Sequence, residues 1–307
     1  MRPAESAGAA HVSERELDTV NATTAAGLRP SPAPAAPGLR RPRRRRPRML
    51  RLRGKMSVPQ FLAVAGLVFA GLLIVWQVVT ASGMVDPLFL PSPTAVWDRL
   101  SQLSGEGTLW DDIGISTYRI LVGFLIATAI AVPLGVLMGV YRIWEAALEP
   151  VVDFIRYMPV VAFVPLSIIW VGTDDTQKFL IIFIGTFFQQ VLMIMDNTKR
   201  IPQDFIDVGR TLGMPDRRIL RRIVVPSAAP GIWDSMRITL GWAWTYLTLA
   251  ELVAATSGLG YRITVGQRFF QTDLIIGYII VLGVLGLITD QLMKLVGRRL
   301  FGWAEAR

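Results

Sequence analysis

The sequence predicts an all-α membrane protein, a polytopic bundle of six helices, and three observations carry this prediction. The 307-residue chain is 52% hydrophobic with a mean hydropathy of +0.45, which is too apolar for a soluble domain of this length. Its long apolar stretches have about the 20 residues that a helix needs to cross a bilayer. None of them alternates in the way that a transmembrane β-strand requires.

The predicted spans follow one another after residue 58 and are separated by polar loops. They cover residues 59–80, 118–140, 148–172, 179–195, 231–256 and 273–296. On the second span, small residues recur every four positions and predict close packing against a neighbouring helix. These residues are Ala127, Ala131, Gly135 and Gly139.

The chain divides by composition into a basic tail, residues 1–55, and a transmembrane domain, residues 56–307. The tail is rich in Ala, Pro and Arg and buries too little apolar surface to fold, so we expect a disordered cytoplasmic segment. Its arginine run, 40–48, favours anionic lipid or a topology signal over a nucleic-acid partner. A translation start at Met56 stays open, and no cleavable signal peptide is recognisable.

Two scarce residue types argue against catalysis by this chain. Cysteine is absent and the single histidine, His11, lies in the tail, which removes thiolate metal sites and the usual general base. We therefore expect no catalytic residue, no metal site and no cofactor bound by the chain.

The distribution of basic residues orients the predicted bundle. With the amino terminus inside, the inner segments carry 25 Lys and Arg residues and the outer segments carry 4. Without the tail the numbers are 12 and 4. Both termini and the polar loop 198–230 are therefore expected in the cytoplasm.

Loop 198–230 contains a short helix with its own start and stop signals. Asp204 and Asp207 favour the positive end of a helix dipole, and Gly213 supplies a left-handed terminating residue. A second, basic helix is expected after Pro215, and Pro226 is expected to turn the chain into the fifth span. The loop fits either a hairpin on lipid phosphates or a docking element for a partner.

The spacing inside this loop resembles a family signature. Gly213 is followed by nine residues and then by Ile223-x-Val225-Pro226, and Asp207-Val208-Gly209 stands where the family has Glu-Ala-Ala. This pattern is similar to the cytoplasmic loop of ATP-binding-cassette (ABC) importer permeases. Further motifs resemble the nitrate, sulfonate, taurine and bicarbonate subgroup, among them Leu90-Pro91-Ser92-Pro93, Arg156-x-x-Pro159 and Gly258-Leu259-Gly260-Tyr261.

The resemblance implies a type I ABC importer permease in the bacterial inner membrane. It is expected to pass a small solute, an anion such as nitrate, sulfonate, taurine or bicarbonate, from a periplasmic binding protein to the cytoplasm. The resemblance also implies a cytoplasmic ATPase subunit that carries ATP and Mg, a second permease copy, with a homodimer expected, and surrounding lipid. The residues it assigns to ATPase coupling are Asp204, Asp207, Val208, Gly209, Leu212, Gly213 and Pro226.

A second set of residues is expected at the translocation path or gate. Glu251 lies deep in the fifth span without an adjacent cation in sequence, and a gate and a path-lining role stay open. Arg156, Gly258 and Gly260 complete the set. Arg156 has the spacing to pair with Asp153 one turn earlier.

Two other functions compete with an importer subunit. A stand-alone secondary transporter or channel would show internal repeats with matching broken helices, and none is convincing here. An intramembrane enzyme would need a nucleophile–base pair or metal ligands, and only Ser, Asp and Glu are available. The substrate itself is left undetermined by the sequence.

Overall fold

A computed structural model describes residues 57–304 of the chain. The expected basic tail, residues 1–55, lies outside the described residues. The chain divides into two compact units, residues 1–62 and 63–307. Described residues 57–62 of the first unit include the start of α1, and the helices after α1 all belong to the second unit.

The described residues form α-helices joined by short connections and contain no strand within 57–304. The helices are α1 Val58–Ala81, α2 Pro93–Gly105, α3 Thr108–Val140, α4 Arg142–Arg156, α5 Phe163–Val171, α6 Asp175–Lys199, α7 Gln203–Thr211, α8 Asp216–Ile219, α9 Val225–Ala254, α10 Leu259–Arg268 and α11 Thr272–Leu300. A 3₁₀ turn, Val160–Ala162, precedes α5, and a π turn, Leu220–Val224, joins α8 to α9.

Four helices are long and apolar enough to cross a membrane alone, namely α1, α3, α6 and α11. Two bent pairs bring the number of spans among the described residues to six if each pair counts as one. The pairs are α4 with residues 160–171 and helix 216–254 with α10. The all-α prediction is confirmed, and the six-span prediction holds with two of the spans bent.

The span predicted over 148–172 is not one continuous helix. α4 begins at Arg142 and ends at Arg156, and the chain then bends by 79° before it continues towards α5. Pro159 explains the break, because it has no N–H to donate and disfavours helical backbone at Met158. The third span therefore consists of two short helices joined at a bend.

The second span also begins earlier than predicted, at Thr108 and not at residue 118. Its first three turns carry Asp112 and Ser116 and lead to Arg119, all three of which are buried. The prediction from hydropathy left residues 108–117 out of the second span, because charged residues are costly in a membrane unless they have partners. Those partners lie on other helices and are described below.

The core lies where α3 packs on α6 and α6 packs on α9. The small-residue face of α3 makes the first contact: Ala127 and Ala131 are fully buried. A Cβ atom at Gly135 would lie 2.7 Å from the Val191 carbonyl oxygen of α6. The predicted close packing of this face is confirmed, because no larger residue fits between the two backbones.

Candidate functional site

The short helix predicted in loop 198–230 is present as α7. It begins after Pro202 and ends at a turn in which Gly213 has φ +69°, a backbone conformation that favours glycine. The Gly213 N–H donates to the Arg210 carbonyl at 2.9 Å, and the Met214 N–H donates to the Gly209 carbonyl at 3.0 Å. These bonds satisfy two carbonyls that would otherwise be free at the helix end.

One edge of α7 packs on the segment that follows it. Gly209 is buried, and a Cβ atom there would lie 2.9 Å from Ile223 Cδ1 and 3.1 Å from Ile219 Cγ1. The glycine that stands where the family pattern has alanine therefore permits a close approach between α7 and residues 219–223.

The remaining apolar side of α7 is uncovered. Phe205, Val208 and Leu212 lie on one face of the helix and are 42%, 57% and 74% exposed. Asp204 and Asp207 are also exposed, and Asp207 pairs only loosely with Arg210 at 3.5 Å. α7 thus presents an apolar stripe flanked by carboxylates on the surface of the molecule.

Replacing Gly209 with leucine is expected to displace α7 without unfolding the rest of the chain. The added side chain would collide with Ile219 and Ile223, and an overpacked contact of this kind costs about 1–3 kcal/mol. Limited proteolysis of the purified protein should show faster cleavage within 198–230. Gly114→Leu is the control, because no atom lies within 4 Å of a Cβ at Gly114; equal cleavage of both variants would contradict the packing role.

The structure corrects the role predicted for Pro226. Residues 216–254 form one helical rod, and Pro226 lies in the first turn of α9 without turning the chain. The rod accommodates this proline through the π turn just before it, in which the Val225 N–H donates to the Leu220 carbonyl five residues back. Arg217, Arg218, Arg221 and Arg222 are exposed on this rod, as predicted for its basic face.

At the other end of the rod, Glu251 is bound by three groups. It is 1% exposed and accepts hydrogen bonds from Ser116 Oγ at 2.9 Å, Arg119 Nη1 at 2.8 Å and the Gly260 N–H at 2.8 Å. Two of these donors are on α3 and the third is on α10. The carboxylate therefore ties three helices together.

Arg119 extends this network to α6 and to the α9–α10 turn. Its Nε donates to Asp175 Oδ1 at 2.7 Å, and its Nη1 also donates to the Ser257 carbonyl at 2.8 Å. With Arg119 only 4% exposed and Glu251 almost fully buried, the pair is removed from water. A buried pair of this kind is tolerated only because further hydrogen bonds satisfy both groups.

Asp112 binds the same turn from one helical turn earlier on α3. It accepts from the Gly258 N–H at 3.0 Å, from Arg262 Nε at 2.6 Å and from Tyr278 Oη at 3.0 Å. Lys178 of α6 closes the other side by donating to the Ala254 carbonyl at 2.9 Å. We call the whole set the polar clamp: Asp112, Ser116, Arg119, Asp175, Lys178, Glu251, Arg262 and Tyr278.

Two of the predicted path or gate residues, Gly258 and Gly260, lie against Glu251. Gly258 has φ +106°, and a Cβ atom there would lie 2.9 Å from Arg119 Nη1. A Cβ at Gly260 would lie 2.7 Å from Glu251 Cβ. Both glycines let the backbone approach the carboxylate, so this turn is held by the polar clamp and is not a free loop.

Arg156, the fourth predicted residue, lies apart from this group in the last turn of α4. Its Nε donates to Asp153 Oδ1 at 2.7 Å, which confirms the predicted pair, and its guanidinium stacks on Tyr157 at 4.5 Å. Arg156 lines a cavity of 180 Å³ between α4, α6 and α9. The four residues predicted for the path or gate therefore lie in two separate places: Glu251, Gly258 and Gly260 in the polar clamp region, and Arg156 beside the cavity.

Sequence reasoning missed most of the polar clamp, including Asp112 and Lys178. The signal that could have found part of it is spacing, because Asp112, Ser116 and Arg119 follow one another at helical intervals on one face of α3. Among residues 57–304, no group of three His, Cys, Asp or Glu side chains could hold a metal ion.

Comparisons with known proteins agree with the resemblance seen in the sequence. Residues 131–302 match the family described as "Binding-protein-dependent transport system inner membrane component". A probable ABC transporter permease of Brucella abortus is 38% identical over 75% of this chain and 91% of its own length. The taurine transport system permease of Escherichia coli is 31% identical over 83% and 94%, respectively.

A sulfonate relative and a solved structure extend this likeness. A putative aliphatic sulfonates transport permease of Bacillus subtilis is 32% identical over 77% of this chain and 86% of its own length. A chain from an inward-facing form of the MetNI methionine ABC transporter superposes with a TM-score of 0.53 at 21% identity, over 62% of this chain and 94% of that chain. The structural likeness supports the fold.

Proposed function

The chain belongs to the family of binding-protein-dependent transport system inner membrane components, and from this premise we propose that it is the permease subunit of an ATP-driven importer. Its sequence similarity places it with the nitrate, sulfonate, taurine and bicarbonate subgroup. The observation that carries the proposal is the uncovered apolar stripe of α7, on a chain without a Gly-x-x-x-x-Gly-Lys-[Ser/Thr] motif of its own.

We propose that the solute is a small molecule with an oxyanion group. Taurine and aliphatic sulfonates, for which two relatives are named, share a sulfonate group. Bicarbonate, for which a permease of Synechococcus elongatus is named, is a planar oxyanion. Such groups are recognised by several N–H and O–H donors arranged around them. An extracytoplasmic binding protein would deliver this solute.

The proposed orientation places α7 and both termini in the cytoplasm of a bacterial cell. The excess of Lys and Arg in the segments on that side, 25 against 4, supports it. The polar clamp then lies at the outer end of the bundle, where a binding protein would dock, and α7 lies where a soluble ATPase subunit with its ATP and Mg would reach it.

The structure offers a direct mechanical route between these ends. α7 packs through Gly209 on residues 219–223, and the same rod continues to Ala254 beside the polar clamp. At 1.5 Å per residue, its 39 residues span about 58 Å. An ATPase that binds α7 differently in its two nucleotide states would thereby favour one arrangement of the clamp over the other.

The test is co-reconstitution of the chain with its ATPase and binding protein in liposomes, with uptake of labelled taurine, an alkanesulfonate and bicarbonate measured in parallel. We expect uptake of one of them only when ATP and all three proteins are present. Uptake by the purified chain alone would instead support a secondary transporter or channel.

A further inference from the structure

We propose that the cavity beside Arg156 is an oxyanion-binding site that a solute occupies in transit through the bundle. The inference rests on the proposed function for its biological meaning, and on geometry for its location. The cavity is 180 Å³ and is lined by Arg156, Gly185, Gln189, Trp242 and Tyr246 among other residues. It is smaller than the roughly 300–1,000 Å³ of sites for drug-sized ligands, so only a small solute fits.

The cavity lies at mid-depth of the bundle. Gly185 and Gln189 flank the centre of α6, which runs from Asp175 to Lys199. The opposite wall is the broken junction after α4, where the chain bends by 79°. A charged side chain at this depth is costly in a membrane and marks a solute path when it faces a cavity. A broken helix is also where irregular backbone is tolerated, because it lines a cavity and not lipid.

The lining supplies hydrogen-bond donors that the protein itself leaves unused. Gln189 Nε2, Trp242 Nε1 and Tyr246 Oη have no hydrogen-bond partner within residues 57–304, and Gln189 uses only its oxygen, which accepts from Arg156 Nη1 at 3.4 Å. These three side chains line the same cavity as Arg156, and N–H and O–H donors together with a guanidinium suit the oxygens of a sulfonate or carboxylate.

The charges around the cavity favour weak, reversible binding of an anion over tight binding. Asp153 accepts from Arg156 Nε at 2.7 Å and neutralises one unit of charge, while Tyr157 Oη takes one bond from Arg156 Nη2 at 2.8 Å. The guanidinium therefore attracts an anion less than a free cation would. A site on a conduction path must bind strongly enough to admit the solute and weakly enough to release it.

Gly185 fixes one donor in place. A Cβ atom there would overlap the ring of Tyr246, so only glycine lets this ring approach α6 so closely. Tyr246 lines the same cavity as Arg156 and Gln189. Tyr246→Phe is therefore a suitable test of the site, because it removes only the hydroxyl and keeps the ring against Gly185.

The first experiment measures binding directly. The purified full chain in lipid nanodiscs is titrated with methanesulfonate at constant ionic strength, and tryptophan fluorescence is followed against a chloride blank. We expect a saturable change that Trp242→Phe removes. Tyr246→Phe should weaken binding about threefold to tenfold, as loss of one hydrogen bond does, and Arg156→Gln about tenfold or more.

Two controls separate the site from general effects. Tyr118→Phe changes an exposed tyrosine of α3 that does not line the cavity, so it should leave binding unchanged. Arg156→Lys keeps the charge and should lose less affinity than Arg156→Gln. No saturable response in the wild-type chain, or equal responses in the wild-type chain and all cavity variants, would overturn the proposal.

Uptake by the reconstituted complex then distinguishes this proposal from the proposed function. A wild-type chain that binds methanesulfonate but supports no ATP-driven uptake of any oxyanion contradicts the importer and leaves the binding site standing. A wild-type complex that transports, with Tyr246→Phe and Arg156→Gln transporting at the same rate, contradicts the site and leaves the importer standing.

Discussion

Replacing Gly213 with proline is expected to reduce solute uptake by the reconstituted complex more than about tenfold while its ATPase subunit continues to hydrolyse ATP. Gly213 has φ +69° and its N–H donates to the Arg210 carbonyl. Proline locks φ near −65° and has no N–H, so it can neither adopt this backbone conformation nor make this hydrogen bond. The end of α7 would refold locally, so motion of the ATPase would no longer reach the 216–254 rod in a fixed direction.

The matched control is Gly213→Asn at the same position. Asparagine tolerates the left-handed conformation, and no atom lies within 4 Å of a Cβ at Gly213, so the side chain has space. Uptake should stay near the wild-type rate. Membrane insertion of both variants is checked by their yield and by gel filtration. Wild-type uptake by the proline variant would contradict a mechanical role for the α7 cap.

The second large effect is expected at the polar clamp. Glu251→Gln replaces a carboxylate oxygen that accepts from the Gly260 N–H or from Arg119 with an NH₂ group, which is itself a donor. Removing one partner of a buried ion pair costs about 3–5 kcal/mol. Since about 1.4 kcal/mol already changes an equilibrium tenfold, we expect uptake to fall more than tenfold while ATP hydrolysis continues.

A carboxylate outside the clamp provides the comparison. Glu106, the residue directly after α2, is exposed and within residues 57–304 accepts only from Gln102 Nε2 at 2.9 Å, so Glu106→Gln should leave uptake and thermal stability unchanged. Thermal unfolding of Glu251→Gln in detergent should move to a lower temperature. If both variants transport and unfold like the wild-type chain, the clamp does not control the outer end of the bundle.

The parts of the fold that depend on local sequence could be predicted. Long apolar stretches identify α1, α6 and α11, and Gly213 identifies the end of α7, because each signal is contained in neighbouring residues. The small-residue face of α3 was also readable, since its spacing alone determines which side admits a close neighbour.

The parts that depend on distant residues could not be predicted. Arg119 and Glu251 are 132 residues apart in sequence, and no local pattern indicates that they contact each other. The break after α4 was missed for a related reason, because an apolar stretch interrupted by Pro159 has the composition of one long helix. The helix 216–254 continues past Pro226 because of a π turn that no local sequence pattern indicates.

The cavity beside Arg156 also combines one feature that could be predicted from local sequence with others that could not. The pairing of Arg156 with Asp153 follows from their spacing on one helix and was predicted. The convergence of Gln189, Trp242 and Tyr246 on that arginine depends on how α4, α6 and α9 are arranged in space. A single charged residue in a sequence cannot reveal which donors surround it.

The most direct test uses the absence of cysteine from the natural chain. Leu212→Cys, directly after α7, and Phe270→Cys, after α10, both change exposed positions. Each variant is expressed in cells with the ATPase subunit and treated with a membrane-impermeant maleimide. We predict that in intact cells the reagent labels only position 270, and that in inverted vesicles it labels position 212 unless the ATPase is bound. Labelling of position 212 in intact cells would contradict docking of α7 on a cytoplasmic ATPase.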